Sequence, residues 1–239
     1  MSNFDEKLIK ENLSEDKWKE AFIKLSQGYP VQYIIGNVEF YDNLIEVDES
    51  VLIPRFETEY LVDDLLKYIK ESDFVKPRIL DIGTGSGCIA IALKKNVDSL
   101  VDGLDISEKA IQVARKNAKN NNVNIEFYHQ DICSFTPDNK YDVIISNPPY
   151  VAKDVKTDPK IKYEPQDAIF AEDNGLYFYK IILKKSISYL NKKNIIAFEI
   201  GHNQASEIKK LCLNYYHDAK IIEKNDLNGF NRYIYIIND

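Results

Sequence analysis

Cysteine, methionine and tryptophan are scarce in this 239-residue chain, at three, one and one copies. Cys88, Cys133 and Cys212 are scattered, with no CxxC pair. That excludes a disulfide scaffold, argues against a cysteine-rich zinc site and makes a reducing cytoplasm the expected home. Long apolar runs are lacking as well: Val143-Ile144-Ile145 and Ile195-Ile196-Ala197-Phe198 are far too short to cross a bilayer. The start, Met1-Ser2-Asn3-Phe4-Asp5-Glu6-Lys7, lacks the charged-then-apolar layout of a secretory signal. Nor is there a basic excess. A net charge of -7 argues against broad, phosphate-driven binding to nucleic acid. Fixed-period repeats and low-complexity tracts are absent, which removes solenoids and arrays.

What is present is ordinary for a globular chain, 44% apolar and 29% charged. The length suits one α/β domain with a small appendage, or two modest domains. Two helical stretches open it. Phe4, Leu8 and Ile9 recur at helical spacing, and Ser14 is the expected N-cap of a second helix carrying Trp18, Phe22 and Leu25, stopped by Gly28 and Pro30. Two short helices cannot build a core alone, so residues 1–29 are expected to lean on the main body or on a partner. Residues 38–41 and 44–47 flank Asp42-Asn43, a pair that favours positive φ, and 30–53 reads as a β-hairpin linker. Thr58 then opens a helix that buries Leu61, Val62, Leu65, Leu66 and Ile69.

Further on, strands alternate with helices. Strands are expected over 78–82, 100–104, 125–128, 141–146 and 194–199, and helices over 86–95, 107–120, 175–189 and 204–215. Residues 220–223 and 232–237 form an antiparallel pair joined through Asn228-Gly229. The alternation implies an α/β fold with a mostly parallel sheet and helices on both faces. Ligands in such folds sit at the carboxyl ends of the strands.

The segment Asp81-Ile82-Gly83-Thr84-Gly85-Ser86-Gly87 lies between the first buried strand and its helix. Glycine at alternate positions permits tight turns and close approach by a ligand. A dinucleotide fingerprint needs glycine where Cys88 stands, and there is no Gly-Lys-Ser/Thr ending for a phosphate-cradling loop. Asp105 closes the next strand 18 residues after Gly87. An ionised carboxylate there accepts both hydroxyls of a ribose. Loop and carboxylate together suit an adenosine ligand without a pyrophosphate, S-adenosylmethionine. The plainer account is a strand-to-helix turn with Asp105 facing solvent.

Asn147-Pro148-Pro149-Tyr150 directly follows the strand over 141–146. Two prolines fix φ and remove two donors, leaving nearby carbonyls free to accept. A planar amide whose nitrogen must attack a methyl sulfonium has a delocalised, weakly nucleophilic lone pair. Acceptors on both of its N–H bonds, the Asn147 side-chain oxygen and the Pro148 carbonyl, orient the nitrogen and localise that pair. Tyr150 offers a flat face for stacking. Catalysis then comes from positioning and electrostatics rather than from a strong base. A Pro-Pro turn closing a strand is the plainer account.

These motifs, with Pro30-Val31-Gln32-Tyr33-Ile34-Ile35-Gly36, Ile53-Pro54-Arg55-Phe56-Glu57-Thr58-Glu59, Glu199-Ile200-Gly201 and Asp226-Leu227-Asn228-Gly229-Phe230-Asn231-Arg232, resemble the N5-glutamine methyltransferases that modify peptide chain release factors. The Asn147 tetrad is shared with DNA and RNA amino-methyltransferases and names only the chemistry. The resemblance covers nearly everything from Tyr29 onward. It implies a class I methyltransferase domain over 54–239 with a seven-stranded sheet. It also implies S-adenosylmethionine held by Asp81, Gly83, Thr84, Gly85, Ser86, Gly87, Asp105, Ile132 and Asn147. Asn147, Pro148, Pro149 and Tyr150 would grip the glutamine of a Gly-Gly-Gln loop on the release factor. A cytoplasmic monomer follows as the expectation, without direct nucleic-acid or membrane binding.

Three departures stand out. Only about 29 residues precede the matching region, where the family carries a longer helical docking domain. Phe56 replaces a proline, and Asn174 stands where aspartate is usual. Arg55 and Glu57 read equally as pocket-lining residues or as surface ion-pairing groups. His129, His202 and His217 lack metal-ligand spacing, so no metal is expected. Cys88 reads as a buried filler, and the pairs Lys184-Lys185 and Lys192-Lys193 as solvated helix ends. Two other readings stay open. One is a nucleic-acid amino-methyltransferase acting on a flipped base. The other is a binding module that holds the cofactor without turnover.

Overall fold

A computed structural model describes residues 3–239, with side chains from residue 4 onward. Met1 and Ser2 of the amino-terminal stretch therefore lie outside the described residues. Helices α1 (Asn3–Asn12) and α2 (Glu15–Ser26) are joined by a third that periodicity did not foresee, α3 (Val31–Ile35). Val31, Tyr33, Ile34 and Ile35 favour strands, but Pro30 sets the entry and Gly36, at φ 82°, closes the helix in the left-handed region. Ile9, Ala21, Leu25 and Val31 bury one another in a small cluster, so these helices make a minor core of their own once α3 completes it. Phe4, which shares helical spacing with Leu8 and Ile9, faces solvent. Ser14 takes the N-cap position of α2, but its side chain makes no capping bond.

The hairpin β1 (Asn37–Phe40) and β2 (Asn43–Glu46) turns one residue earlier than expected, through Tyr41 and Asp42. Both have positive φ, 48° and 58°, the primed geometry that matches strand twist. Asn43 is thereby drawn into the strand and buried, and its amide donates to the Phe40 and Tyr41 carbonyls at 3.2 and 2.6 Å. Buried Asn117 fastens the hairpin to the main body. Its side chain accepts from the Glu46 N–H at 2.8 Å and donates to the Glu46 and Ser86 carbonyls, both at 2.9 Å.

The main body runs α4 (Phe56–Glu71), β3 (Arg78–Ile82), α5 (Cys88–Asn96), β4 (Leu100–Asp105), α6 (Glu108–Asn120), β5 (Glu126–His129) and β6 (Tyr141–Ser146). A separate two-residue pair follows, β7 (Val151–Ala152) with β8 (Phe170–Ala171). Then come α7 (Tyr177–Tyr189), β9 (Leu190–Glu199), α8 (Ala205–Tyr215), β10 (Lys220–Asn225) and β11 (Asn231–Asn238). α4 begins two residues before Thr58, so Thr58 lies inside its first turn. Ser107, expected as the first residue of a helix over 107–120, instead caps α6, its hydroxyl accepting from the Ala110 N–H at 3.2 Å.

The seven-stranded sheet has the order β10-β11-β9-β6-β3-β4-β5. Only β11 runs against its neighbours. Alternation along each strand divides the core. Ile79, Val143, Val101 and Ile195 pack under α4, α5 and α6, while Leu80, Ile144, Ile196 and Ile234 pack under α7 and α8. The mostly parallel sheet covered on both faces is the expected architecture.

Candidate functional site

Register places the informative residues side by side. Asp81 of β3 pairs with Ile145 of β6, and Ser146 of β6 pairs with Phe198 of β9. One or two residues further on, Gly83, Asn147 and Glu199 emerge at the carboxyl ends of three adjacent strands. The Ser146 hydroxyl donates to the Ile82 carbonyl at 2.6 Å and locks two of those ends together.

Gly83, Gly85 and Gly87 all adopt positive φ, at 73°, 53° and 80°. Gly83 and Thr84 donate their N–H groups to the Leu104 carbonyl at 2.8 and 3.0 Å, which bends the loop over the end of β4. A side chain at Gly83 would meet nothing within 4 Å, and at Gly85 only the Gly83 carbonyl at 4.0 Å. The space over the loop is open. Gly87 differs, since its Cβ position lies 3.1 Å from the Ala114 side chain, and it is needed for helix packing.

Asp105 is not a free solvent-facing group. Its Oδ2 accepts from the Gly85 N–H and its Oδ1 from the Ser107 N–H, both at 2.9 Å. Burial raises its pKa, opposed by these backbone donors. With Ile106 as a third backbone donor, the carboxylate still has acceptor capacity left for a ribose hydroxyl. Asp105→Ala should weaken S-adenosylmethionine binding by about 1–3 kcal/mol. Calorimetry checks this, and an unchanged dissociation constant would remove Asp105 from the site. Ile132 is buried beside Ile82 and Leu104, and its segment is tied to the loop side by the Gln130 N–H donating to the Asp105 carbonyl at 2.9 Å.

Asp81 is fully buried beneath the loop. Its Oδ2 accepts from the Thr84 hydroxyl at 2.6 Å, whereas Oδ1 has no partner among the described residues. Burial pushes this carboxyl up to about 7, with Thr84 opposing and Asp105 adding to the rise. Between the ordinary carboxylate value and about 7, the folded chain holds a proton that the unfolded chain has lost. Stability of the ligand-free protein therefore falls as pH rises across that window. Asp81→Asn should flatten this part of the profile in melting curves between pH 5 and 8, and a slope as steep as that of the parent would contradict it. An unpartnered buried carboxylate oxygen, open space over Gly83 and Gly85, and spare acceptor capacity on Asp105 fit a cationic adenosine ligand such as S-adenosylmethionine.

On the other side of the loop, the Asn147 amide donates from Nδ2 to the Thr58 hydroxyl at 3.2 Å. No described group donates to its Oδ1 or to the Pro148 carbonyl. Tyr150 donates its hydroxyl to Glu199 Oε1 at 3.2 Å, and Thr58 donates to Glu199 Oε2 at 2.7 Å. The Gln204 amide donates to the Tyr150 carbonyl at 3.0 Å. Glu199 is buried among these groups. Burial raises its pKa, with Thr58, Arg232 and Tyr150 pulling it back. Gln204 carries no short-range signal of its own, and Thr58 and Glu199 stand out only as members of segments that carry the resemblance. Periodicity marks Thr58 only as a helix residue, and Glu199 only as a strand end.

Of the two readings offered for Arg55, the ion-pairing one is met, with a buried partner. Its guanidinium reaches the carboxylate of Glu164 at 2.6 Å, and Glu164, 3% exposed, also accepts from the Ile53 N–H at 3.1 Å. The pair clips the segment ahead of α4 to the stretch between β7 and β8. Cys88 is a buried filler as expected, with burial pushing its thiol up to about 12. Among the described residues no group of acidic, histidine or cysteine side chains is arranged to hold a metal ion. No helix there is long and apolar enough to cross a membrane.

Known proteins supply an independent comparison. The methyltransferase small domain family matches residues 58–164. A release factor glutamine methyltransferase from Lactococcus lactis is 39% identical, covering 95% of this chain and 85% of the relative. One from Fusobacterium nucleatum is 41% identical over 85% of this chain, which spans 58% of that relative's length. Among solved structures, the ribosomal protein L11 methylase of Lactobacillus delbrueckii superposes with a TM-score of 0.60 at 21% identity, over 82% of this chain and 85% of that one. That likeness identifies the fold as the class I S-adenosylmethionine-dependent methyltransferase fold. With a 39% identical relative matched along most of both chains, this chain belongs to the release factor glutamine methyltransferase family.

Proposed function

We propose that this protein transfers a methyl group from S-adenosylmethionine to the side-chain amide nitrogen of the glutamine in the Gly-Gly-Gln loop of a peptide chain release factor. The observation that carries the reading is a pair of unengaged acceptors, Asn147 Oδ1 and the Pro148 carbonyl, beside the open glycine loop. When bound, S-adenosylmethionine supplies an electrophilic methyl on a sulfonium. Gly83, Thr84, Gly85, Ser86 and Gly87 would lie against it, with Asp81, Asp105 and Ile132 lining the same side. Asn147 Oδ1 and the Pro148 carbonyl accept the two N–H bonds of the substrate amide and turn its nitrogen lone pair toward the methyl. Pro149 holds that turn rigid, and the Tyr150 ring flanks the planar amide. The proton shed by the nitrogen stays hydrogen-bonded at this acceptor pair until solvent takes it. Rate enhancement rests on positioning and on preorganised dipoles.

The domain division follows the same reading: 54–239 carries the chemistry, and 1–29 with the linker of 30–53, which holds α3 as well as the hairpin, forms the approach side. A cytoplasmic location, which the three unpaired cysteines support, is part of the proposal, and so is a monomer. The net charge of -7 disfavours a nucleic-acid substrate. The deciding assay offers radiolabelled S-adenosylmethionine with unmethylated release factor, ribosomal RNA and duplex DNA in parallel, followed by mass spectrometry of the labelled product. Label on the Gly-Gly-Gln glutamine supports the reading. Label on nucleic acid alone would replace it with the amino-methyltransferase alternative.

A further inference from the structure

Thr58 and Glu199 are 141 residues apart, yet both are nearly inaccessible and joined by a 2.7 Å hydrogen bond immediately behind Asn147. A threonine hydroxyl has one proton and two lone pairs. The carboxylate at Oε2 accepts that proton, so toward Asn147 the hydroxyl offers only a lone pair. The group of Asn147 that faces it must therefore be the donor, Nδ2, as observed at 3.2 Å. The amide is planar, so fixing Nδ2 toward Thr58 sends Oδ1 the other way, to where the substrate amide would sit.

We propose that Thr58 and Glu199 are positioning residues that dictate the orientation of the Asn147 amide, so that its oxygen and never its nitrogen meets the substrate. The inference deepens the glutamine-methylation reading and rests on it. Glu199 is itself held. Its second oxygen accepts from the Tyr150 hydroxyl at 3.2 Å, and its backbone carbonyl accepts from the Tyr179 hydroxyl at 2.7 Å. The Arg232 guanidinium adds favourable charge, anchored in turn by Asp226 and by the Ile200 carbonyl, all at 3.3 Å. One carboxylate thus sets the hydroxyl of Tyr150 and, through Thr58, the amide of Asn147. Two of the four residues of the substrate-gripping tetrad take their orientation from it. Without the pair, an amide presenting nitrogen to nitrogen would repel the substrate donor and leave its lone pair conjugated.

The test uses the full chain in three forms: parent, Thr58→Val and Thr58→Ser. Valine keeps the shape and removes the hydroxyl, while serine restores it. In the ligand-free protein, the side-chain amide protons of Asn147 are assigned by NMR through their loss in Asn147→Ala. Thr58→Val should shift these signals and speed their solvent exchange by about tenfold, and Thr58→Ser should restore both. With release factor as substrate, Thr58→Val should lower kcat by about tenfold or more while KM and the cofactor dissociation constant stay within about threefold. Thr58→Ser should recover most of the lost kcat. Amide signals that Thr58→Val leaves unchanged would overturn the positioning role, as would a serine variant as slow as the valine one. Responsive amide signals with no methyl transfer by the parent protein would uphold the positioning role and count against the glutamine substrate instead.

Discussion

Asn147→Ala is expected to lower methyl transfer to the release factor by roughly two orders of magnitude or more, with cofactor affinity within a few fold of the parent. The side chain supplies one of the two unengaged acceptors at the end of β6. Removing a preorganised acceptor removes stabilisation that matters mainly when the amide nitrogen must give up its conjugation. The loss should therefore fall on kcat rather than on ground-state binding. The fold should tolerate the change, because Asn147 makes a single side-chain bond, at 3.2 Å, and the Pro148-Pro149 turn remains. Steady-state kinetics beside calorimetric titration of the cofactor checks both halves. Full turnover would remove Asn147 from the amide grip.

Gly175→Ala should be among the most damaging single-methyl additions in the chain. Gly175 sits at φ +84°, and a Cβ there would lie 2.1 Å from the Tyr150 carbonyl oxygen and 2.4 Å from the Gln204 amide nitrogen. The first neighbour is backbone and cannot swing aside. Gln204 in turn holds both the Tyr150 and Asn174 carbonyls, at 3.0 and 3.1 Å. Relief of the clash must push the tetrad off its position or unwind the start of α7. Left-handed strain and overpacking together should cost about 3–5 kcal/mol. For a chain of this size that lowers the melting temperature by about 10 °C. Residual folded protein should turn over far more slowly than its cofactor binding suggests, because the displaced group is Tyr150. Calorimetric melting and a kcat measurement together test the claim, and a variant that melts with the parent contradicts it.

Both variants act at the same strand ends, and they differ in what made them foreseeable. Asn147 was legible because its signal is local: a buried strand over 141–146 ends on two prolines, and chain order alone puts the four residues together. The glycine loop and Asp105 were legible for the same reason, since each lies within a residue or two of a strand's carboxyl end. The alternation of strands and helices was equally visible, because buried parallel strands need unbroken apolar stretches. Gly175 was not legible as a steric necessity, since what excludes its side chain is Tyr150, 25 positions earlier, and Gln204, 29 positions later.

Local patterns also misled where two signals competed. β-favouring side chains over 31–35 lost to the Pro30 and Gly36 boundary residues, and a helix formed. The turn took Tyr41 and Asp42 rather than Asp42 and Asn43, because a two-residue loop with both φ positive keeps Phe40 and Asn43 paired and Asn43 buried. Boundary residues outweighed intrinsic preference in the first case, and burial of a flanking residue did so in the second.

The amino-acid order by itself determined the sheet-forming elements, the open cofactor loop and the rigid turn carrying the amide acceptors, because each depends on neighbours in the chain. The tertiary structure alone decided which way those acceptors face. Thr58 comes from α4 and Glu199 from β9, and they meet Asn147 only because Ser146 pairs with Phe198 while α4 packs over that face. A hydroxyl's single proton then settles an amide's orientation across 89 residues of chain, and no periodicity or spacing encodes a hydrogen-bond direction over that separation.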